Sequence, residues 1–445
     1  MKLHKGWLAV FAVLVFWGAG IAPARADLHL NVNRGTVNPL PIAIPDFSGS
    51  VSSDPTLGHD LVTVISNDLD GSGLFKTLDP KSFIQQAKDA ATNPDFKSWG
   101  TVGAQALVTG TISTTGGDRT RVEFRLWDVE SQQQLVGMAY MTTPTNWRRI
   151  GHIIADSIYE RITGEKGYFD SRIVYIAQTG PYGERTRRLA IMDQDGANVH
   201  YLTNGDAIVL TPRFSPTQQQ ITYMAYYNHK PRVYLYNIST GAQQVLGDFP
   251  NMTFAPRFSP DGSKVIMSLS DNDGNSDIYT MGTDSHNVVR LTHTDSINTS
   301  PTYSPDGKYI AFESDRSGSQ QIYVMNADGS GAHRITFGSG RYASPVWSPR
   351  GDLIAFTRIY KNEFYIGVIH PDGTGERLIT HGFDVEAPTW SPNGRVLCFF
   401  KVVPTGPHGE GRSSRLYTID LTGFNEHMIK SPTDASDPAW SPLNK

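Results

Sequence analysis

The chain has a single cysteine, Cys398, in 445 residues. No intramolecular disulfide can form, and every motif that needs two thiols is excluded. Its setting, Arg395-Val-Leu-Cys-Phe-Phe, reads as a strand, and the thiol is expected to serve as a small buried hydrophobe. Long apolar runs are equally scarce: beyond the first 26 residues no stretch could span a bilayer. Neither sign of charge prevails, with 39 Lys and Arg against 43 Asp and Glu. No basic patch with interleaved aromatics stands out, so nucleic acid is not an expected partner.

Signatures of catalysis are missing too. There is no G-x-S-x-G nucleophile elbow, no H-E-x-x-H and no phosphate loop ending in Gly-Lys-Ser or Gly-Lys-Thr. Asp271-Asn-Asp-Gly-Asn-Ser-Asp277 has the look of a calcium loop, but Gly274 falls out of register and no glutamate closes the set. It reads as a polar turn. The 13 histidines are scattered, and His59 and His152 sit on or beside helix faces as structural residues do. No catalytic residue, metal ligand or cofactor is expected.

What the chain has instead is repetition. A proline, a variable residue, an aromatic and Ser-Pro recur at Pro212-Arg-Phe-Ser-Pro, Pro256-Arg-Phe-Ser-Pro, Pro301-Thr-Tyr-Ser-Pro, Pro345-Val-Trp-Ser-Pro, Pro388-Thr-Trp-Ser-Pro and Pro438-Ala-Trp-Ser-Pro. The leading prolines are 44, 45, 44, 43 and 50 residues apart. A period in the forties with several short strands per unit marks a β-propeller. In the unit from Ser300 to Thr336, Ser-Pro-Asp-Gly forms a turn, Tyr309-Ile-Ala-Phe and Gln321-Ile-Tyr-Val-Met are strands, and Asp328-Gly329 is a hairpin before a short fourth strand. The aromatics Phe214, Phe258, Tyr303, Trp347, Trp390 and Trp440 recur in phase and are expected to pack between blades.

The ends of the repeat predict how the ring closes. Few residues follow the last phrase, whereas strands at 172–177, 189–193 and 199–203 have no opening phrase of their own. The C-terminal strand should join them to complete a sixth blade. The long fifth interval is caused by an insertion beginning at Val403-Pro-Thr-Gly.

Ahead of the ring, Lys2 and Lys5 precede an apolar run from Trp7 to Ala22, with Ala24-Arg25-Ala26 as a small-x-small site. This reads as a cleaved secretory signal. A secreted chain of this size without disulfides suits a bacterial periplasm. Residues 27–38 form an arm in which Leu28, Leu30 and Val32 alternate with polar residues. Such an arm either adds to a partner's sheet edge or docks on its own domain. Residues 39–165 read as an α/β domain. It has a strand at 41–47, a helix after Asp54-Pro55 with Leu57, Leu61, Ile65 and Leu69 on one face, and a second helix from Asp79-Pro80 through Phe83, Ile84 and Ala87. Three strands follow near 106–140, then a helix carrying Trp147, Ile150, Ile154, Ile158 and Ile162 that stops at Gly164. The fold class expected is thus an α/β domain followed by an all-β six-bladed propeller spanning 166–445, four antiparallel strands per blade.

With no catalytic set, function should lie on surfaces. The loops that lead into each blade's first strand gather at one mouth of the channel. There Phe254 and Tyr342 are expected as exposed aromatics for a protein partner, unless these loops plug the mouth. A hydrolase or lactonase with a channel metal, and a cell-wall carbohydrate-binding module, are the competing readings.

The leader, Pro41-Ile-Ala-Ile-Pro-Asp-Phe, Asp68-Leu-Asp-Gly-Ser-Gly-Leu-Phe75, Arg125-Leu-Trp-Asp, the run from Thr163 to Tyr175 and six Ser-Pro units in this order resemble the TolB family. The resemblance covers essentially the whole chain after the leader. It implies a non-enzymatic periplasmic scaffold of the Tol–Pal envelope system, supporting outer-membrane integrity and constriction at division. It also implies that the lipoprotein Pal is received at the propeller mouth. Thr253, Phe254, Ala255, Asn298, Thr299 and Ser300 stand in the matching places, with Tyr342, Ser344 and Glu386 in the neighbouring loops. TolA would engage the arm through Leu28, Leu30, Val32, Arg34 and Val37. Other outer-membrane proteins are further candidate partners, no direct membrane insertion is expected, and a monomer is expected. Thr217-Gln218, Arg350 and Asn393 depart from the Asp-Gly turn pattern, which bears on turn stability.

Overall fold

A computed structural model describes residues 28–30, 38–51, 54–116, 119–181, 183–228, 230–247, 249, 253–404 and 411–444. The leader and the arm residues Val32, Arg34 and Val37 lie outside the described residues. No helix among the described residues is long and apolar enough to cross a membrane.

The N-terminal domain is a mixed sheet with two long helices on it. Its strand order is Phe75–Thr77, Leu40–Ala43, Ala106–Thr115, Arg119–Asp128 and Gln134–Thr142, with Ser48–Ser50 also pairing with Ala106–Thr115. The pairs made by the first two strands are parallel and the long meander is antiparallel. Helix Leu57–Gly71 buries Leu57, Leu61, Ile65 and Leu69, the face its heptad-like spacing predicts. Helix Trp147–Thr163 buries Ile150, Ile154, Ile158 and Ile162 and ends where Gly164 takes φ 73°. The helices cross closely at Gly151, where an added Cβ would sit 2.9 Å from Val64 Cγ1.

The expected second helix is a correction. Asp79 accepts from the Lys81 N–H and caps only a 3₁₀ turn, Pro80–Ser82. Phe83 then turns extended, with ψ 127°. Its ring meets Trp99 edge-on at 5.0 Å, which wins over continuing the helix. Two short helices, Ala87–Thr92 and Phe96–Thr101, follow instead, the second capped by Asp95.

Six four-stranded antiparallel sheets make the propeller. Five are consecutive in sequence. The sixth has Asp434–Trp440 on its inner edge, hydrogen-bonded to Arg172–Thr179, then Thr186–Asp193 and His200–Tyr201. The ring therefore closes as the repeat pattern predicts. Phase-locked aromatics bind blade to blade: Trp390 Nε1–H donates to Val346 O of the preceding blade at 3.0 Å. Phe258, Trp347, Trp390 and Trp440 are buried, Phe214 is partly so, and Tyr303 reaches Thr280 of the blade before it. Cys398 is buried in its strand, and burial raises its thiol pKa.

Candidate functional site

Each blade's first strand lies innermost, and these six strands contact one another in a closed circle around the channel. All six share one backbone feature. The residue before the proline takes a left-handed φ: Thr211 47°, Ala255 53°, Ser300 54°, Ser344 52°, Ala387 53° and Asp437 50°. At that point the register with the second strand slips by one residue, so each inner strand carries a β-bulge. A bulge sharpens the local twist, which lets the inner strand curve along the channel wall. The proline that follows donates no hydrogen bond, which suits an edge strand facing the channel.

The two faces of the ring differ in what they meet. Ser-Pro turns and third-to-fourth-strand loops face the N-terminal domain. Arg350 pairs with Glu165 at 2.9 Å, Asn393 Nδ2 donates to Lys166 O at 2.8 Å, and Asn425 Nδ2 to Gly71 O at 2.6 Å. The loops entering each first strand lie on the opposite face. Four apolar side chains on this face are exposed: Ile208 at 51%, Ile297 at 40%, Phe337 at 72% and Phe383 at 54%. Guanidinium groups lie over the two rings, Arg334 at 5.1 Å from Phe337 and Arg412 at 5.1 Å from Phe383. Apolar side chains rimmed by arginine are a composition that favours protein docking.

The residues singled out from sequence fall into three groups. Thr299 and Glu386 are partly exposed at the rim, as is Phe254. Ala255, Ser300 and Ser344 are the bulge residues themselves. Thr253 and Asn298 are buried. Asn298 is a knot: its Nδ2 donates to Thr294 Oγ1 at 2.9 Å and Ser276 O at 3.1 Å, and its Oδ1 accepts from Arg316 at 2.7 Å. Tyr342, expected exposed, is fully buried. Its hydroxyl donates to Glu376 at 2.8 Å and its ring packs on Phe356 at 5.2 Å. Sequence reasoning missed Phe337 and Phe383, which lie at the trailing ends of fourth strands, just outside the loops it scanned.

Acidic groups dominate one side of the mouth. Burial pushes the Glu386 carboxyl up to about 7, helped by Asp384 and Asp437 nearby. Glu313 rises to about 7 through burial, although the Ser344 N–H at 3.3 Å opposes this. In the Asp-rich run at 271–277, Asp271 accepts from the Asp273 and Asn275 N–H groups in an exposed turn, whereas Ser276 and Asp277 are buried at the start of strand Ser276–Gly282.

A second constellation sits at the domain junction. Asp68 of the first helix meets His152 Nδ1 at 2.6 Å and accepts from Gln194 of the propeller at 2.8 Å. Burial disfavours the imidazolium, but the charge and hydrogen bond of Asp68, with Asp195 and Asp193 beyond, raise His152 to about 9. Asp68, His152 and Asp195 are close enough to hold a metal ion. However, Arg148 already forms ion pairs with Asp195 and Asp193, so the group is a charge-compensated clasp. Asp156 accepts from Phe169 N and Asp170 N at 2.7 and 3.0 Å, fixing the linker, and burial lifts its carboxyl to about 7. Gly167 is required there, since a Cβ would lie 2.0 Å from Asp156 Oδ1.

The described part of the arm runs along the same domain. Leu30 is buried in the main core, its N–H donates to Ile162 O at 2.9 Å, and Leu28 packs beside it. Of the two behaviours the arm's pattern allows, docking is the one taken by these residues.

An α/β domain seated on one face of a closed six-bladed propeller, with apolar side chains exposed on the loops of the opposite face, defines a two-domain propeller protein. The family described as TolB amino-terminal domain matches residues 28–135, and the TolB beta propeller domain matches residues 159–444. The Tol-Pal system protein TolB of Paramagnetospirillum magneticum is 54% identical over 437 residues, covering 98% of each chain. The crystal structure of TolB from Acinetobacter baumannii superposes with a TM-score of 0.78 at 28% identity, covering 93% of this chain and 100% of that one. The chain belongs to the TolB family of the Tol–Pal system.

Proposed function

We propose that this protein is a non-enzymatic periplasmic scaffold that receives Pal at the open propeller mouth and TolA on its N-terminal arm. In this role it supports outer-membrane integrity and constriction during division, after export on a cleaved signal. The observation that carries the reading is the separation of two surfaces. An apolar rim at Ile208, Ile297, Phe337 and Phe383 faces away from the N-terminal domain, while the arm enters on that domain at Leu28 and Leu30. One molecule can then hold two proteins at once. The docked Leu30 also implies that TolA competes with the arm's own groove, so release of this residue precedes or accompanies capture.

Photo-crosslinking in intact cells tests both ends. A photoreactive residue at Thr299 is expected to yield a Pal adduct, and one at His29 a TolA adduct. Absence of Pal from every adduct at Thr299 and Phe383 contradicts the mouth assignment.

A further inference from the structure

We infer that the propeller channel contains an anion site, built from Arg213 and Arg257, that takes an oxyanion group, a carboxylate or a phosphate. The two arginines occupy the same place in adjacent repeats, one residue past the left-handed bulge and its proline, on inner strands Ile208–Phe214 and Thr253–Phe258. These strands are neighbours in the inner circle, and the Arg213 charge is felt at Arg257. In the other four repeats that place holds Thr302, Val346, Thr389 and Ala439. Two cations therefore stand together on one side of the channel.

Neither has a carboxylate within 4 Å among the described residues. Arg213 Nη1 donates to Pro212 O at 2.6 Å. Arg257 makes no hydrogen bond or ion pair with any described residue. Asp437 of the closing blade is the acid that influences Arg213, and Arg213 is the charge that influences Arg257. Both arginines keep some accessible surface, yet the surrounding protein makes their charge costly: burial pulls Arg213 down to about 10 and Arg257 further. That combination describes cations in a water-filled channel with protein walls. Like charges placed together in such a setting are stable only with a counter-charge, and a guanidinium pair matches the two oxygens of a carboxylate or phosphate.

The anion has two possible sources, a free oxyanion or an acidic side chain presented by the protein at the mouth, and two arms of one experiment separate them. In the first arm, inorganic phosphate is added to the full mature protein and to Arg213→Gln/Arg257→Gln, against sodium chloride at equal ionic strength. The wild type is expected to gain roughly 3–5 °C in Tm over the chloride control, with no such gain in the variant. Without phosphate the variant should melt at or above the wild type, because repulsion is relieved, which also reports that it folds. This arm stands whether or not Pal is the partner. In the second arm, which rests on the function proposed above, the purified Pal domain is titrated onto both proteins, and a loss of tenfold or more in the variant identifies a partner carboxylate as the occupant. A difference in either arm supports the site. Equal behaviour of wild type and variant in both arms overturns it.

Discussion

Truncation after Thr433 is expected to abolish cooperative folding of the propeller. The cut removes Asp434–Trp440, the strand that closes the ring, and with it all pairing on the inner side of Arg172–Thr179. Ala435, Ala439 and Trp440 are buried there, and Trp440 also donates through its indole to Ser171 Oγ at 2.8 Å and meets Tyr168 edge-on at 5.8 Å. Loss of a buried Trp alone costs about 3–5 kcal/mol. A whole inner strand adds several such terms, against a total domain stability of about 5–15 kcal/mol. The truncated protein should lose most of its near-UV circular dichroism, keeping only the part due to the N-terminal domain, and should be cut rapidly by protease inside the first and closing blades. A native-like thermal transition would show that the ring does not depend on its closing strand.

The second large effect is expected at the domain junction. Asp68→Ala removes the partner of a buried cation and also the acceptor of Gln194, which crosses from the propeller. Breaking a buried pair from one side costs about 3–5 kcal/mol. The pH dependence fixes the interpretation. His152 has a folded pKa of about 9 against 6.5 unfolded. The stability it contributes is therefore fully present below 6.5 and is lost as pH rises through 9. The gap between wild type and Asp68→Ala should accordingly be widest at pH 6 and narrow towards pH 9.5. Calorimetry is also expected to resolve separate melting of the two domains in the variant. A pH-independent gap would mean that the clasp carries no charge.

Much of this architecture was legible because it is periodic. Pro301-Thr-Tyr-Ser-Pro and its five relatives announce the blades, and a final phrase without later strands announces the closure. The helix from Trp147 to Thr163 could be read from its isoleucines and from Gly164. Other features are not periodic and leave no local trace. The bulges were hidden because Ala255, Ser300 or Thr211 before a proline gives no hint of a left-handed backbone, a state that proline itself disfavours in its predecessor. Arg350 and Asn393 looked like imperfect turns, whereas they hold Glu165 and the linker carbonyl of Lys166. That role depends on segments 185 and 227 residues apart in sequence. Tyr342 was placed in the solvent because its loop is, but its side chain turns inward to Glu376. Phe337 and Phe383, which do face solvent, lie where a fourth strand was assumed to have already ended the blade.

The arm and the mouth occupy different parts of the molecule, and the clasp at Asp68 and His152 lies between them. The N-terminal domain meets the ring at the face opposite the mouth. The docked Leu30 pairs with Ile162 in the last turn of helix Trp147–Thr163, and Asp156, near the middle of the same helix, holds the linker.

The most direct measurement is a calorimetric titration of the purified Pal domain onto the full mature protein, repeated with Ile297→Asp/Phe383→Asp. Both positions are exposed, so the variant should fold and melt as the wild type does. Saturable binding to the wild type and a loss of tenfold or more in the variant is the expected result. Equal affinity in the two proteins would contradict docking at the mouth.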